Sequence, residues 1–205
     1  MNDLTPAQKR AYYLSAITHP VFMPVIGFVV FNEFNIMSFH GKAFLILLGV
    51  YSLTVVALPL YFIFSLKRSG YIESYEMHTL KERRLPLLFT SGAMLFNYYL
   101  MQRANMLGIY QIYFLSTAAA AIVSLAISSF YKISLHTIGI GFLFGLGLVL
   151  SSLGQSDMRW YLILIAITAG IVGYCRLILN AHNHTQIYLG FIVGAICASG
   201  MLFFL

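Results

Sequence analysis

From Leu107 to Phe130 the chain runs 24 residues without a charged side chain. An α-helix needs roughly 20 apolar residues to cross the hydrocarbon layer of a bilayer. Lipid offers no partner to an exposed backbone N–H or C=O, so within one segment only a helix satisfies every such group. The pattern recurs along the 205 residues, of which 60% are hydrophobic and only 9% charged, and the mean hydropathy is +0.84. The expected fold is therefore all-α, a polytopic membrane helical bundle of about six or seven transmembrane helices. It is expected to form one domain over residues 18–205, behind an interfacial segment at 1–17, with no second, soluble domain.

Polar breaks delimit the spans. The opening MNDLTPAQKRAYYLSA is too polar for the core of a signal peptide, and Lys9 and Arg10 read as surface anchors. A first span is expected from about Thr18 to Met37, with Pro20 and Pro24 in its first turns, where proline is tolerated, and Glu33 reaching for the interface near its far end. A second span covers about Ala43 to Leu66 and is expected to kink at Pro59. The longest polar connection, KRSGYIESYEMHTLKERRL, fills 67–85. A hairpin of spans follows, about Pro86 to Gln102 and Leu107 to Phe130. After a short polar knot at 131–136, a glycine-rich span runs to about Leu153, where Gly139, Gly141, Gly145 and Gly147 permit close helix contact. Trp160 to Leu179 and Ile187 to Leu205 complete the set. No internal repeat is visible. Cys175 and Cys197 lie in or beside apolar segments and imply neither a disulfide nor a metal framework.

With seven spans, the N-terminus, the 67–85 connection and the knots at 131–136 and 181–186 all fall on one side. Every polar cluster able to carry chemistry then meets at a single membrane face. That face also holds nine of the twelve basic residues: Lys9, Arg10, Lys67, Arg68, Lys81, Arg83, Arg84, Lys132 and Arg176. Leaving out Arg84, Lys132 and Arg176, which the chemistry below engages, six remain against three. The positive-inside rule turns this face to the cytoplasm. The net charge of +6 suits basic loops against an anionic lipid surface. Without a long basic run it does not suggest nucleic-acid binding.

The stretch CRLILNAHNHTQIYLGFIVG, residues 175–194, gathers Arg176, His182, His184 and Gln186 in apolar surroundings. Charge at a membrane boundary is costly enough to need a reason. His182 and Gln186 are four apart and share a helix face if the last helix begins there, and Gly190 and Gly194 continue the stripe. Arg176, five residues, His182, three residues and Gln186 resemble the third motif of the PAP2 superfamily, the type 2 phosphatidic acid phosphatases. That motif reads Ser-Arg, five residues, His, three residues, Asp; here Cys175 stands for the serine and Gln186 for the aspartate. Ile133-Ser134-Leu135-His136 keeps the Ser and His of the family's Pro-Ser-Gly-His. Arg83-Arg84-Leu85-Pro86 is similar to the end of the family's Lys, six residues, Arg-Pro, although the lysine is missing and a leucine separates Arg84 from Pro86. The resemblance spans about Arg83 to Gly194, over half the chain.

The resemblance implies a membrane phosphatase with no metal or other cofactor. It would hydrolyse a lipid phosphate or pyrophosphate through a phosphohistidine intermediate. Phosphatidic acid, phosphatidylglycerol phosphate and polyprenyl pyrophosphate are substrates of this kind, with the headgroup at the membrane face and the tail left in lipid. Guanidinium groups hold phosphate oxygens bidentately. Arg84 and Arg176 would form the clamp, assisted by Arg83 or Lys132, and Ser134 would hydrogen-bond a phosphate oxygen. His182 is the expected nucleophile, His136 the acid that protonates the leaving group, and Gln186 the residue that orients His182. Glutamine can accept an imidazole hydrogen bond but brings no charge. In a related histidine arrangement, loss of the orienting carboxylate costs about 10⁴ in rate. Glu82 is a candidate replacement for that carboxylate. The alternative is a PAP2-fold protein that binds phosphorylated lipid without turning it over, or that scaffolds other membrane proteins. His184 and His78 read as solvated loop residues. The same resemblance makes a bacterial inner membrane the expected location.

Overall fold

The computed structural model describes residues 4–35, 37–77, 79–154 and 157–201, and among these the chain is all-helical, with no strand. Helices α1 (Pro6–Ile17) and α2 (Met23–Phe34) are joined through the 3₁₀ turn Pro20–Phe22. Helices α3 (Gly41–Ser52) and α4 (Leu58–Arg68) are joined by the π turn Leu53–Ala57. Then come α5 (Leu80–Arg103), α6 (Gly108–Ser128), α7 (Leu135–Ser152), α8 (Arg159–Ile178) and α9 (His184–Ser199). Five stretches are long and apolar enough to cross a membrane: Pro6–Phe34, Gly41–Arg68, α6, α7 and α8. They mark the chain as a membrane protein. The other two expected spans differ in kind. Helix α5 has 24 residues but opens on Lys81, Glu82, Arg83 and Arg84 and carries Asn97 and Gln102 further on. Helix α9 has 16 residues, short of the roughly 20 a perpendicular crossing takes. His78 and the expected span residues 202–205 lie outside the described residues.

The segment at 6–17, expected as an interfacial lead-in, is helical. Thr5 accepts the Gln8 N–H while the Gln8 side chain accepts the Thr5 N–H, and Pro6 occupies the first helical position, so local chemistry alone starts α1. The helix packs on α8 and buries Ala11 and Ser15. The expected kink at Pro59 takes the form of the π turn just before it. There the Leu58 N–H reaches back to the Leu53 carbonyl, so the hydrogen-bond ladder has already slipped where proline would break it. The Thr54 hydroxyl, inside that turn, bonds Asn97 Oδ1 of α5 at 2.9 Å.

The core is aromatic. Phe28, Phe31, Tyr51, Tyr110, Tyr113 and Phe114 are fully buried against one another. Their hydroxyls find partners, as buried polar groups must: Tyr113 donates to the Pro24 carbonyl at 2.6 Å and Tyr110 to Asn32 Oδ1 at 2.7 Å.

Two contacts set the position of the site. Helices α5 and α6 pair as an antiparallel hairpin, and α7 and α9 lie backbone against backbone. A Cβ on Gly194 would run into the Ile138 carbonyl and stand 2.7 Å from the Phe142 nitrogen, and one on Gly141 would meet the Phe191 carbonyl. Small residues at both surfaces let the helices approach this closely. The approach brings their first turns together, so that the Ser134 N–H bonds the Gln186 carbonyl at 3.3 Å.

Candidate active site

Two residues beyond the end of α8, Asn180 is left-handed (φ +50), a conformation asparagine tolerates at helix ends. The chain doubles back, and the Ala181 and His182 amides both donate to the Arg176 carbonyl, at 3.1 and 3.4 Å. Asn183 then caps α9: its Oδ1 accepts the Gln186 N–H at 2.9 Å, while Gln186 Oε1 accepts the Asn183 N–H at 3.4 Å. The same Oε1 lies 2.8 Å from His182 Nδ1. An oxygen that already takes a backbone N–H is an acceptor, so Nδ1 carries the imidazole proton and Nε2 keeps its lone pair. Burial lowers the His182 pKa to about 4; the Gln186 bond works against this, and the charges of Arg83, Arg176 and Lys132 add to it. The ring is therefore neutral at neutral pH.

Around it stand the cations Arg83, Arg176 and Lys132, with the Glu76 carboxylate acting on Arg176 and Lys132. Arg83 is buried near the start of α5, its Nε on the Met77 carbonyl at 2.9 Å and its Nη1 on the Ile133 carbonyl at 3.0 Å. Met77 is left-handed (φ +48), an uncommon state for a residue of this type that aims its carbonyl at the guanidinium. Arg176, in the last turn of α8, is 6% exposed, and its Nε has no hydrogen-bond partner. Lys132 is half-buried; burial lowers its pKa, and repulsion from Arg83 and Arg176 adds to this, while Glu76 opposes it.

A second imidazole, His136, stands in the first turn of α7. Its Nε2 lies 3.1 Å from the Ser15 carbonyl; a carbonyl only accepts, so Nε2 holds the proton and Nδ1 is the atom open to proton exchange. The His19 ring packs edge-on against it, centroids 5.5 Å apart. His19 Nδ1 accepts the Val21 N–H at 3.3 Å, which leaves its Nε2–H as a donor. The Ser15 hydroxyl is buried without a partner. Arg83, Arg176, His182, His136, His19 and Ser15 all line one cavity of about 260 Å³.

Of the residues singled out in the sequence, His182, His136, Arg176 and Arg83 meet at this cavity, and Gln186 reaches it through His182. The other three do not line it. Arg84 is exposed, its Nη2 on the Ser129 carbonyl at 3.1 Å. Ser134 is fully buried as the cap of α7, with Oγ on the Thr137 N–H at 3.4 Å. Lys132 stands behind Arg83 and Arg176, within their electrostatic reach. The Glu82 carboxylate accepts the Glu73 and Thr79 amides at 2.7 and 3.2 Å, and closes the loop ahead of α5. His184 is exposed and stacks on Tyr188.

Sequence reasoning missed His19 and Ser15. The signal available was His19 at the mouth of the first span, on the side to which the other polar clusters were assigned. Among the described residues, no three His, Cys, Asp or Glu side chains gather as a metal ion would need. The arrangement offers hydrogen-bond donors, positive charge and one imidazole nitrogen with a free lone pair, a set suited to an anionic electrophile. No family model, curated protein or solved structure matches this chain.

Proposed function

We propose that this protein is a membrane phosphatase of PAP2 type, with six or seven spans, that hydrolyses a lipid phosphate or pyrophosphate. The observation that carries the reading is the pairing, on one cavity wall, of the buried and unpartnered Arg176 Nε with His182, whose ring Gln186 holds with Nε2 unprotonated. Glu76, which lines the same cavity, offsets part of the Arg176 charge, but a buried donor left without a partner is still costly unless an acceptor completes it.

The phosphoryl group would sit between Arg176 and Arg83. His182 Nε2 attacks phosphorus, and a P–N bond forms as the ester P–O bond breaks. His136, entering as the imidazolium with its second proton on Nδ1, gives that proton to the departing oxygen. Water then attacks the phosphohistidine, the P–N bond breaks, inorganic phosphate leaves, and His136 recovers a proton from the water. A bound phosphate dianion favours the imidazolium form that His136 needs for this step. Arg83, rather than Arg84, is the second clamp residue in this reading, because Arg83 lines the cavity. The protein would work in a bacterial inner membrane, with the site facing the cytoplasm.

A second reading, binding without turnover, draws on Gln186: it is neutral, and its carbonyl also serves the cap of α9. Phosphate release from a panel of lipid phosphates in detergent separates the two. Activity in the wild type that is lost in His182→Ala supports the phosphatase. An inert wild type that gains activity as Gln186→Asp supports an anion-binding protein that has lost turnover. Release unchanged in His182→Ala overturns the site.

A further inference from the structure

The cavity is longer than a headgroup requires. Along α5 it is lined by Arg83, Pro86, Leu87, Thr90 and Met94, spaced as one face of a helix. At 1.5 Å per residue, Arg83 to Met94 is about 16 Å of depth. Facing it, α6 contributes Ser124, Ala121, Ala120 and Thr117, again one face. From α7 the wall passes from His136 through Gly139 to Phe142, and Pro59 and Ile63 of α4 also line it.

Hydrogen bonding divides this space in two. At the mouth, the Arg176 Nε and Ser15 Oγ have no partner. Down the lane, every hydroxyl is engaged by its own helix. Thr90 Oγ1 donates to the Pro86 carbonyl at 2.8 Å, Ser124 Oγ to the Ala120 carbonyl at 2.7 Å, and Thr117 Oγ1 to the Phe114 carbonyl at 2.8 Å. Bonded in this way they ask nothing of a ligand, and the small Ala120 and Ala121 leave width for one chain. At the inner end the aromatic core closes the lane: Tyr51 OH reaches Thr117 at 3.5 Å.

We propose that the ligand's hydrocarbon tail lies inside the bundle, in the lane between α5, α6 and α7, so that the protein takes an amphiphilic phosphate with a single unbranched or isoprenoid chain. This rests on the reading of the mouth as a phosphate site. An open donor set at one end of an otherwise apolar channel matches a molecule with an anionic head and an apolar tail in both chemistry and order. It also replaces the expectation that the tail stays in the surrounding lipid.

The test is photolabelling of the purified wild-type protein in detergent with hexadecyl phosphate bearing a diazirine on its terminal carbon, read by peptide mass spectrometry. Labels on Thr90, Met94, Thr117 or Ala121 that are lost with excess unlabelled hexadecyl phosphate and with inorganic phosphate are the expected result. Competed labels confined to the outward-facing Leu88, Leu95 and Ile122 overturn the internal tail while leaving the head site intact. Labels that inorganic phosphate does not displace overturn the phosphate site itself. Ala121→Phe, which fills the lane, should abolish the inward labels and retain inorganic phosphate binding; inward labels that persist in that variant overturn the proposal. None of these readouts requires turnover.

Discussion

At the scale of single residues, the site turns on the His182 imidazole, kept neutral by burial beside cations. For His182 the sign of the pH response follows directly. An unfolded chain takes up this proton near the ordinary histidine value of about 6.5, whereas the folded protein does so only near pH 4. Between those values the unfolded state binds more protons, so stability rises with pH and is lost as pH falls from about 6.5 towards 4. Thermal unfolding in detergent across that window should show the slope, and His182→Asn should flatten its share of it. In the proposed reaction, protonation near pH 4 would remove the Nε2 lone pair and so set the acid limit of phosphate release, which a pH profile reads. Ser15 and His19 offer a second prediction. A hydrogen bond to a charged group is worth about 1.5–3 kcal/mol, so Ser15→Ala and His19→Phe should each weaken inorganic phosphate binding roughly tenfold or more, by calorimetry. Unchanged affinity in both would remove the N-terminal segment from the site. His182 and Gln186 were legible beforehand because four-residue spacing is a local property of a helix. Ser15 was not: it meets His136 across 121 residues of sequence, and no spacing rule reaches that far. Arg83 and Arg84 were equally eligible in sequence. Only the helix phase, which buries one and exposes its neighbour, tells them apart.

Among the elements, the contact between α7 and α9 holds both histidine-bearing turns in register. Gly194→Ala should destabilise the protein by about 1–3 kcal/mol, because a methyl group there meets backbone that cannot turn aside, and activity should fall with it as Ser134 and Gln186 separate. Gly92→Ala is the control: that position has open space, and alanine in a helix interior is favoured by about 0.5–1 kcal/mol over glycine. Equal melting shifts in the two variants would argue against close packing of α7 on α9. The glycine stripes of both helices were readable in the sequence as a contact surface, and so were most helix boundaries. Helix α1 was not, because Lys9 and Arg10 suggest a solvated lead-in while the capping pair Thr5 and Gln8 asks for a helix. The π turn at Leu53–Ala57 was foreshadowed only by Pro59. Proline announces that the ladder must break but not how it will be repaired.

For the molecule as a whole, the distribution of basic residues makes orientation a prediction. In a variant without Cys175 and Cys197, Ser69→Cys should resist an impermeant maleimide applied to intact cells, while Asp157→Cys, at the opposite end, should react; the reverse pattern would place the site outside. The polar segments were expected to share one face, and the bonds Arg83 to Ile133, Ser134 to Gln186 and His136 to Ser15 tie four of them together. Those same bonds carry a consequence for the order of synthesis. Each joins parts of the chain made far apart in time, and the last to emerge, the turn at 181–186, brings His182, the nucleophile of the proposed reaction. A nascent chain inserted through α7 already holds Ser15, Arg83 and His136 but lacks Arg176 and His182, so the proposed reaction would wait for the end of the chain. Phosphate release, on that reading, would report completed insertion rather than its progress.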